Sequence, residues 1–201
     1  MQTLIVVESP HKARAVAQYA RNLFPGKTVA RSCLGHLRDL PPGELGVVMG
    51  EDFRPQYQAR PGKEKTISYL RGEMARADRV FLATDPDREG EAVAWHLTKV
   101  FKNELRGKAV GRTPFNAVTR EAVRKALANP RPLDAKEVKA AVTRRVVDRL
   151  IGYTISPRLW AAVEGKGLSA GRVQSVALRL LIEAVDRASA EPETWSVEVE
   201  V

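Results

Sequence analysis

Residues 79–97, RVFLATDPDREGEAVAWHL, begin as a short apolar run, pass through a cluster of acids and end in a helical pattern. Arg79–Ala83 is rich in β-branched and aromatic side chains, which suits a strand buried on both faces. Glu89–Val100 reads as a helix with Ala92, Val93, Trp95, His96 and Leu97 available to pack. Working toward the N-terminus, Lys63–Ala77 is a second helical pattern, and residues 36–62 form a long loop marked by Pro41, Pro42, Pro55 and Pro61. Thr28–Cys33 reads as a strand. Pro10–Leu23 reads as a helix capped by Ser9 and ended by Pro25 and Gly26, and Leu4–Val7 as another buried strand. The order β-α-β-loop-α-β-α predicts an α/β fold, a mostly parallel sheet with helices on both faces.

Beyond Arg112–Phe115 the pattern changes to helices over Thr119–Leu127, Asp134–Leu150 and Gly171–Arg187, with a further strand over Trp195–Val201. This divides the chain into an α/β domain, residues 1–111, and a basic, mainly helical domain, residues 112–201. Charge divides it similarly. Residues 112–179 carry 14 basic and 5 acidic groups, matching by themselves the net +9 of the whole 201-residue chain, and the last 22 residues carry one and six. A basic block of this density fits a polyanion, because Lys and Arg along one surface displace condensed counterions from nucleic-acid phosphates. With 44% apolar and 28% charged residues, the composition excludes a disordered or collagen-like chain. The single cysteine, Cys33, excludes an internal disulfide, so a reducing cytoplasm is the expected compartment. No apolar run approaches the length of a membrane span.

In open parallel sheets, ligands bind beyond the carboxyl ends of the strands, where Asp85, Asp87 and Glu89 fall after one strand and Glu8 after another. If the two strands are neighbours, four carboxylates converge on one crevice, a costly arrangement without a cation and the oxygen-rich set that Mg²⁺ prefers. Taken alone, Thr84 or Asp85 could serve only as an N-cap, with Pro86 at the first helical position. Three carboxylates in five residues exceed what capping requires. Lys12 lies in the first turn of its helix, a position that favours anions, so a phosphate bound there would resolve the conflict.

VVESPxKA (residues 6–13) together with DPDREGE (85–91) resembles the Toprim domain of topoisomerases, primases and some nucleases. The longer ATDPDREGEAVAWHL (83–97) is closer to type IA DNA topoisomerases, and SCLGHLRDLP (32–41) resembles that family's glycine-histidine loop. In the basic half, RRVVDRLIGYTISPRLW (144–160) and LSAGRVQSVALRL (168–180) look like the same family's single-strand-binding domain, and FNAVT (115–119) like its interdomain link. The combination is more like bacterial topoisomerase I than topoisomerase III or reverse gyrase. From their residues alone, Trp160 and Tyr153 read as core side chains. The amphipathic helix from Gly171 places Val173, Val176, Ala177, Leu180 and Leu181 on its apolar side.

The resemblance implies a Toprim sheet followed by the helical domain, with DNA, mainly single-stranded, as the partner and Mg²⁺ as the cofactor of a cytoplasmic, nucleoid-associated enzyme. Asp85, Asp87 and Glu89 would hold the metal with Glu8, which would also act as general acid or base. Lys12 would stabilise phosphate charge. Arg172, His36, Arg144, Arg149, Gln174 and Ser175 would contact DNA. Family members cleave one strand with a tyrosine in a tyrosine-arginine motif. Tyr19, Tyr57, Tyr69 and Tyr153 do not sit in one, so the chain is expected to be the N-terminal part of an enzyme whose further domains are its partners, and to be inactive alone. The alternatives are a nucleic-acid-binding module without chemistry and a stand-alone Toprim nuclease or primase, which would lack the two basic segments.

Overall fold

Leu4, Ile5, Val6 and Val7 are wholly shielded from solvent because strand β1, Gln2–Val7, lies inside the sheet. A computed structural model describes residues 1–50, 52–163, 167–190, 196, 198 and 199. β1 pairs in parallel with β2, Lys27–Ser32, on one side and with β7, Arg79–Leu82, on the other. β8, Ala109–Arg112, extends the sheet in parallel from β7, giving the order β2-β1-β7-β8. Side chains alternate across the sheet. Leu4, Val6 and Leu82 pack with Leu70 and Met74 of α2, Glu64–Arg76, and with Val93 and Leu97 of α3, Arg88–Val100. Ile5, Val7 and Phe81 pack with Val16 of α1, Pro10–Tyr19, and with Val123 and Leu127 of α4, Arg120–Ala128. The parallel sheet with helices on both faces is therefore as the sequence predicts.

Local chemistry sets the ends. Ser9 caps α1, its hydroxyl accepting from the Lys12 amide at 3.2 Å, with Pro10 at the start of the helix. α1 stops at Tyr19, four residues short of the expected Leu23, and Asn22 turns into the left-handed region at φ 60°. The loop over residues 36–62 is not wholly irregular. It holds β3, Arg38–Asp39, antiparallel to β6, Gln58–Ala59, and β4, Val47–Val48, antiparallel to β5, Arg54–Pro55.

Composition changes at residue 112, whereas packing divides the chain into Met1–Val146 and Val147–Val201. β8, α4 and the first part of α5 belong to the first unit, since Val123 and Leu127 complete one face of its core. α5, Ala135–Ala162, runs 28 residues, twelve beyond the expected end at Leu150, with Pro157 inside it. In the second unit Ser156 is buried and accepts a hydrogen bond from the Ala170 amide at 3.0 Å, while the Trp160 indole donates to the Leu168 carbonyl. Tyr153 and Trp160 are not core residues, Trp160 being 53% exposed. α6, Arg172–Ala190, contains no buried residue: Val173, Val176, Leu180 and Leu181 all face solvent. The strand expected over Trp195–Val201 lies mostly outside the described residues. No helix among the described residues is long and apolar enough to cross a membrane.

Candidate active site

Glu8 is the first residue beyond β1, and parallel pairing sets it beside the turn that follows β7. Val6 is in register with Leu82, and the Ala83 amide donates to the Val6 carbonyl at 2.8 Å. Two residues on, the Asp85 amide donates to Glu8 Oε1 at 3.1 Å, and the Ser32 hydroxyl from the end of β2 donates to the Glu8 carbonyl at 2.7 Å. Lys12, in the first turn of α1, forms an ion pair with Asp85. Partial burial pushes the Glu8 carboxyl above its ordinary pKa. The Asp85 amide and the Lys12 charge oppose that rise, and the negative charges of Asp85 and Asp87 add to it. A carboxyl held in this way is suited to carry a proton.

The four acids do not converge as expected. Glu8 and Asp85 meet, and Asp87 is near enough for its charge to act on Glu8. Asp87, rather than Thr84 or Asp85, is the N-cap of α3, its carboxylate accepting from the Gly90 amide at 2.7 Å. Glu89 points elsewhere: its side chain is 77% exposed and pairs with His36 Nε2 at 3.4 Å. The reason is local, because the open helix amides, Lys12 and His36 each claim one carboxylate. Among the described residues no group of three or more His, Cys, Asp and Glu side chains is arranged to hold a metal ion. The donor chemistry still fits Mg²⁺, since Glu8, Asp85 and Asp87 offer hard carboxylate oxygens within mutual electrostatic range.

Beneath this turn lies a network that the sequence reading missed. Arg112, the last residue of β8, is fully buried and donates from Nε to Glu91 Oε2 at 2.9 Å. Its Nη1 donates to the Leu82 carbonyl at 3.0 Å and the Thr84 carbonyl at 2.7 Å, and its Nη2 to the Asp85 carbonyl. Glu91, 2% exposed, also accepts from Arg131 and from the Asp134 amide. Burial alone would raise the Glu91 pKa, but the hydrogen bonds from Arg131, the Asp134 amide and Arg112 outweigh it and hold the group below its ordinary value. The Thr84 hydroxyl donates to the Gly90 carbonyl at 2.6 Å. Gly90 is required by closeness, because a Cβ there would lie 2.1 Å from the Asp85 carbonyl oxygen. In the sequence Arg112 marks only the point at which the α/β pattern gives way to the basic helical one.

His36 follows Leu34 and Gly35, both at positive φ, and Lys63 Nζ secures the Leu34 carbonyl at 2.7 Å. The His36 ring meets the edge of His96, which packs in turn against Tyr57 and Trp95. Arg38 lies over Tyr57 and Trp95, a cation not expected from the sequence. Arg144 lies exposed on α5, and Arg145 binds both Asp39 oxygens, at 2.9 and 2.8 Å.

The other expected DNA contacts belong to the second unit. Arg149 donates to the Tyr153 hydroxyl at 3.1 Å and lies over that ring, and Arg172 pairs with Asp148 at 3.0 Å. Gln174 bonds Ser169, and Ser175 accepts from the Gly171 amide at 3.4 Å, so both hold the start of α6.

Residues 3–118 match the family model of the Toprim domain, and residues 132–201 match that of the DNA topoisomerases. The solved structure of full-length topoisomerase I from Thermotoga maritima is similar with a TM-score of 0.80 at 36% identity. The match covers 94% of this chain and 31% of that one, so the chain spans about a third of that relative's length.

Proposed function

Because this chain belongs to the type IA DNA topoisomerases and carries their Toprim domain, we propose that it supplies the acidic half of a site for Mg²⁺-dependent cleavage and rejoining of single-stranded DNA. In a complete enzyme this chemistry, with strand passage, would relax negatively supercoiled DNA. The observation that carries the reading is the meeting of Glu8, Asp85 and Lys12 at the carboxyl ends of two adjacent parallel strands. Asp85 and Asp87 would hold Mg²⁺ with Glu8, and with Glu89 once it leaves His36; bound there, the ion supplies positive charge at a phosphate. Glu8, its carboxyl biased toward the protonated form, gives a proton to or takes one from a sugar oxygen, and Lys12 balances phosphate charge. Arg144, Arg149 and Arg172 bind backbone phosphates, with His36 beside the acids and Gln174 and Ser175 at the start of α6. The exposed apolar side of α6 supports further domains of the same enzyme as the partner.

Two titrations test this reading on the 201-residue chain. Mg²⁺ followed by NMR is expected to perturb Asp85 and Asp87 and to lose that response in Asp85→Asn/Asp87→Asn. Single-stranded DNA is expected to bind with a slope near −0.7 in log K against log salt for each phosphate contacted, and Arg172→Ala to flatten it by about one contact. The chain alone is expected not to relax supercoiled DNA, for want of a placed tyrosine nucleophile. Unchanged Mg²⁺ shifts in the double variant, or relaxation by the wild-type chain and not by Glu8→Ala, would sink this division of labour.

A further inference from the structure

Arg112 is the largest fully buried side chain of the described residues, and it is spent almost entirely on main-chain oxygens of one turn. A buried guanidinium needs one counter-charge, which Glu91 provides. That requirement leaves its remaining donors unassigned, and they go to the carbonyls of Leu82, Thr84 and Asp85, the residues that lead from the end of β7 to the first acid. The Leu82 carbonyl also accepts from the Thr113 amide at 3.0 Å, whereas those of Thr84 and Asp85 lie beyond the strand, where such carbonyls are normally left to water. Tied from below, the peptide after Thr84 has its amide turned upward, and that amide is the one that meets Glu8 Oε1. The carboxylate of the same residue pairs with Lys12. Gly90 closes the turn from the other side, with no room for a Cβ against the Asp85 peptide.

We propose that Arg112 is a positioning residue for the acidic site: its guanidinium, reaching in from the neighbouring strand, fixes the β7 turn so that Asp85 meets Glu8, where the two would hold a cation. The proposal rests on the reading of Glu8, Asp85 and Asp87 as the metal site and adds the residue that presets their geometry. Arg131 provides the contrast. Its side chain shares Glu91 as a partner, at 3.0 and 2.9 Å, and otherwise donates to the Pro132 carbonyl rather than to the β7 turn, while its main chain pairs with that of Arg112. A role limited to neutralising Glu91 would make the two arginines equivalent; a positioning role separates them.

The experiment compares Arg112→Lys, Arg131→Ala and Glu91→Gln in the full 201-residue chain, with folding checked by circular dichroism. Asp85 amide exchange and shift are read without metal, and MgCl₂ titration is then followed by NMR. Arg112→Lys keeps the charge but cannot span Glu91 and three carbonyls. It is expected to speed Asp85 amide exchange and to weaken Mg²⁺ binding about tenfold, as loss of a group orienting a metal ligand does. Arg131→Ala and Glu91→Gln, which leave the carbonyl bonds in place, are expected to keep the Asp85 amide and Mg²⁺ affinity within about twofold of wild type while lowering stability. A folded Arg112→Lys chain with Asp85 and Mg²⁺ binding unchanged overturns the proposal. Should that variant fail to fold, Glu91→Gln decides: loss of the Asp85 signal in a folded Glu91→Gln chain assigns the turn to the ion pair and overturns it equally. If the wild-type chain shows no Mg²⁺ response, the metal reading fails by itself, and amide exchange still reports on Arg112.

Discussion

The acidic end of the first unit and the last helix of the second use their side chains in opposite ways. Around the β7 turn, Thr84, Glu91 and Arg112 are buried and bonded to one another or to the turn. α6 buries nothing, and its side chains bond at the surface, locally as in Arg179 to Glu183 at 2.7 Å and Gln174 to Ser169, and once at longer range from Arg172 to Asp148. Helices draw most of their stability from a packed apolar face. A polar network that closes on itself therefore holds the candidate site, while the helix bearing Arg172 keeps its apolar side for something else.

The difference can be tested from its strongest point downward. Glu91→Ala strips the partner from a fully buried cation and is expected to cost about 3–5 kcal/mol in urea unfolding, since a lone buried charge is left behind. A cost below about 1 kcal/mol would mean the network is no more tightly held than surface pairs. Next comes His96, 3% exposed, whose pKa is pushed down to about 3 by burial first and then by the charges of His36 and Arg38, against Asp39. Below about pH 6.5 the unfolded chain takes up a proton that the folded chain refuses. Stability should fall there by up to about 1.4 kcal/mol per pH unit down to the folded value, and Glu91 adds a loss in the same direction at lower pH. Urea midpoints at pH 7 and pH 5 are expected to converge in His96→Gln; an equal pH dependence in variant and wild type refutes the assignment. The smallest effect belongs to α6, where Leu181→Ala is expected to change stability by less than about 0.5 kcal/mol because no packing is lost. A cost of several kcal/mol would show that the helix face is covered in solution.

The legibility of the sequence follows the same division. β1, β7 and α3 declared themselves through apolar period and turn chemistry, because burial on both sheet faces demands it. β8 did not: Ala109 and Val110 are exposed at the sheet edge and Gly111 interrupts the pattern, so only pairing with β7 makes it a strand. α5 runs twelve residues past the expected Leu150, through Gly152 and Pro157, residue types that ordinarily weaken or stop a helix. The location of the site was legible in Glu8 and the acids after β7. Its internal arrangement was not, because spacing gives the position of a carboxylate but not which of Lys12, His36 or a helix amide will claim it. Arg112 was invisible for the same reason, being 21 positions from Glu91 and meeting it only through the sheet.

The central pairing of β1 with β7 also has a kinetic consequence. β2 can cover one edge of β1 early, and α1 and α2 can cover much of its faces, but the other edge waits for a strand that begins at Arg79. At about 5–20 residues per second of synthesis, that wait lasts about 4–15 s. During it Leu4–Val7 offers an open, wholly apolar edge of the kind that aggregates. Glu8 and Asp85 cannot meet before the edge is closed, so birth of the site and loss of the sticky edge are one event. Parallel pairing across so long a loop is slow, and refolding yield should therefore fall with protein concentration until β7 docks.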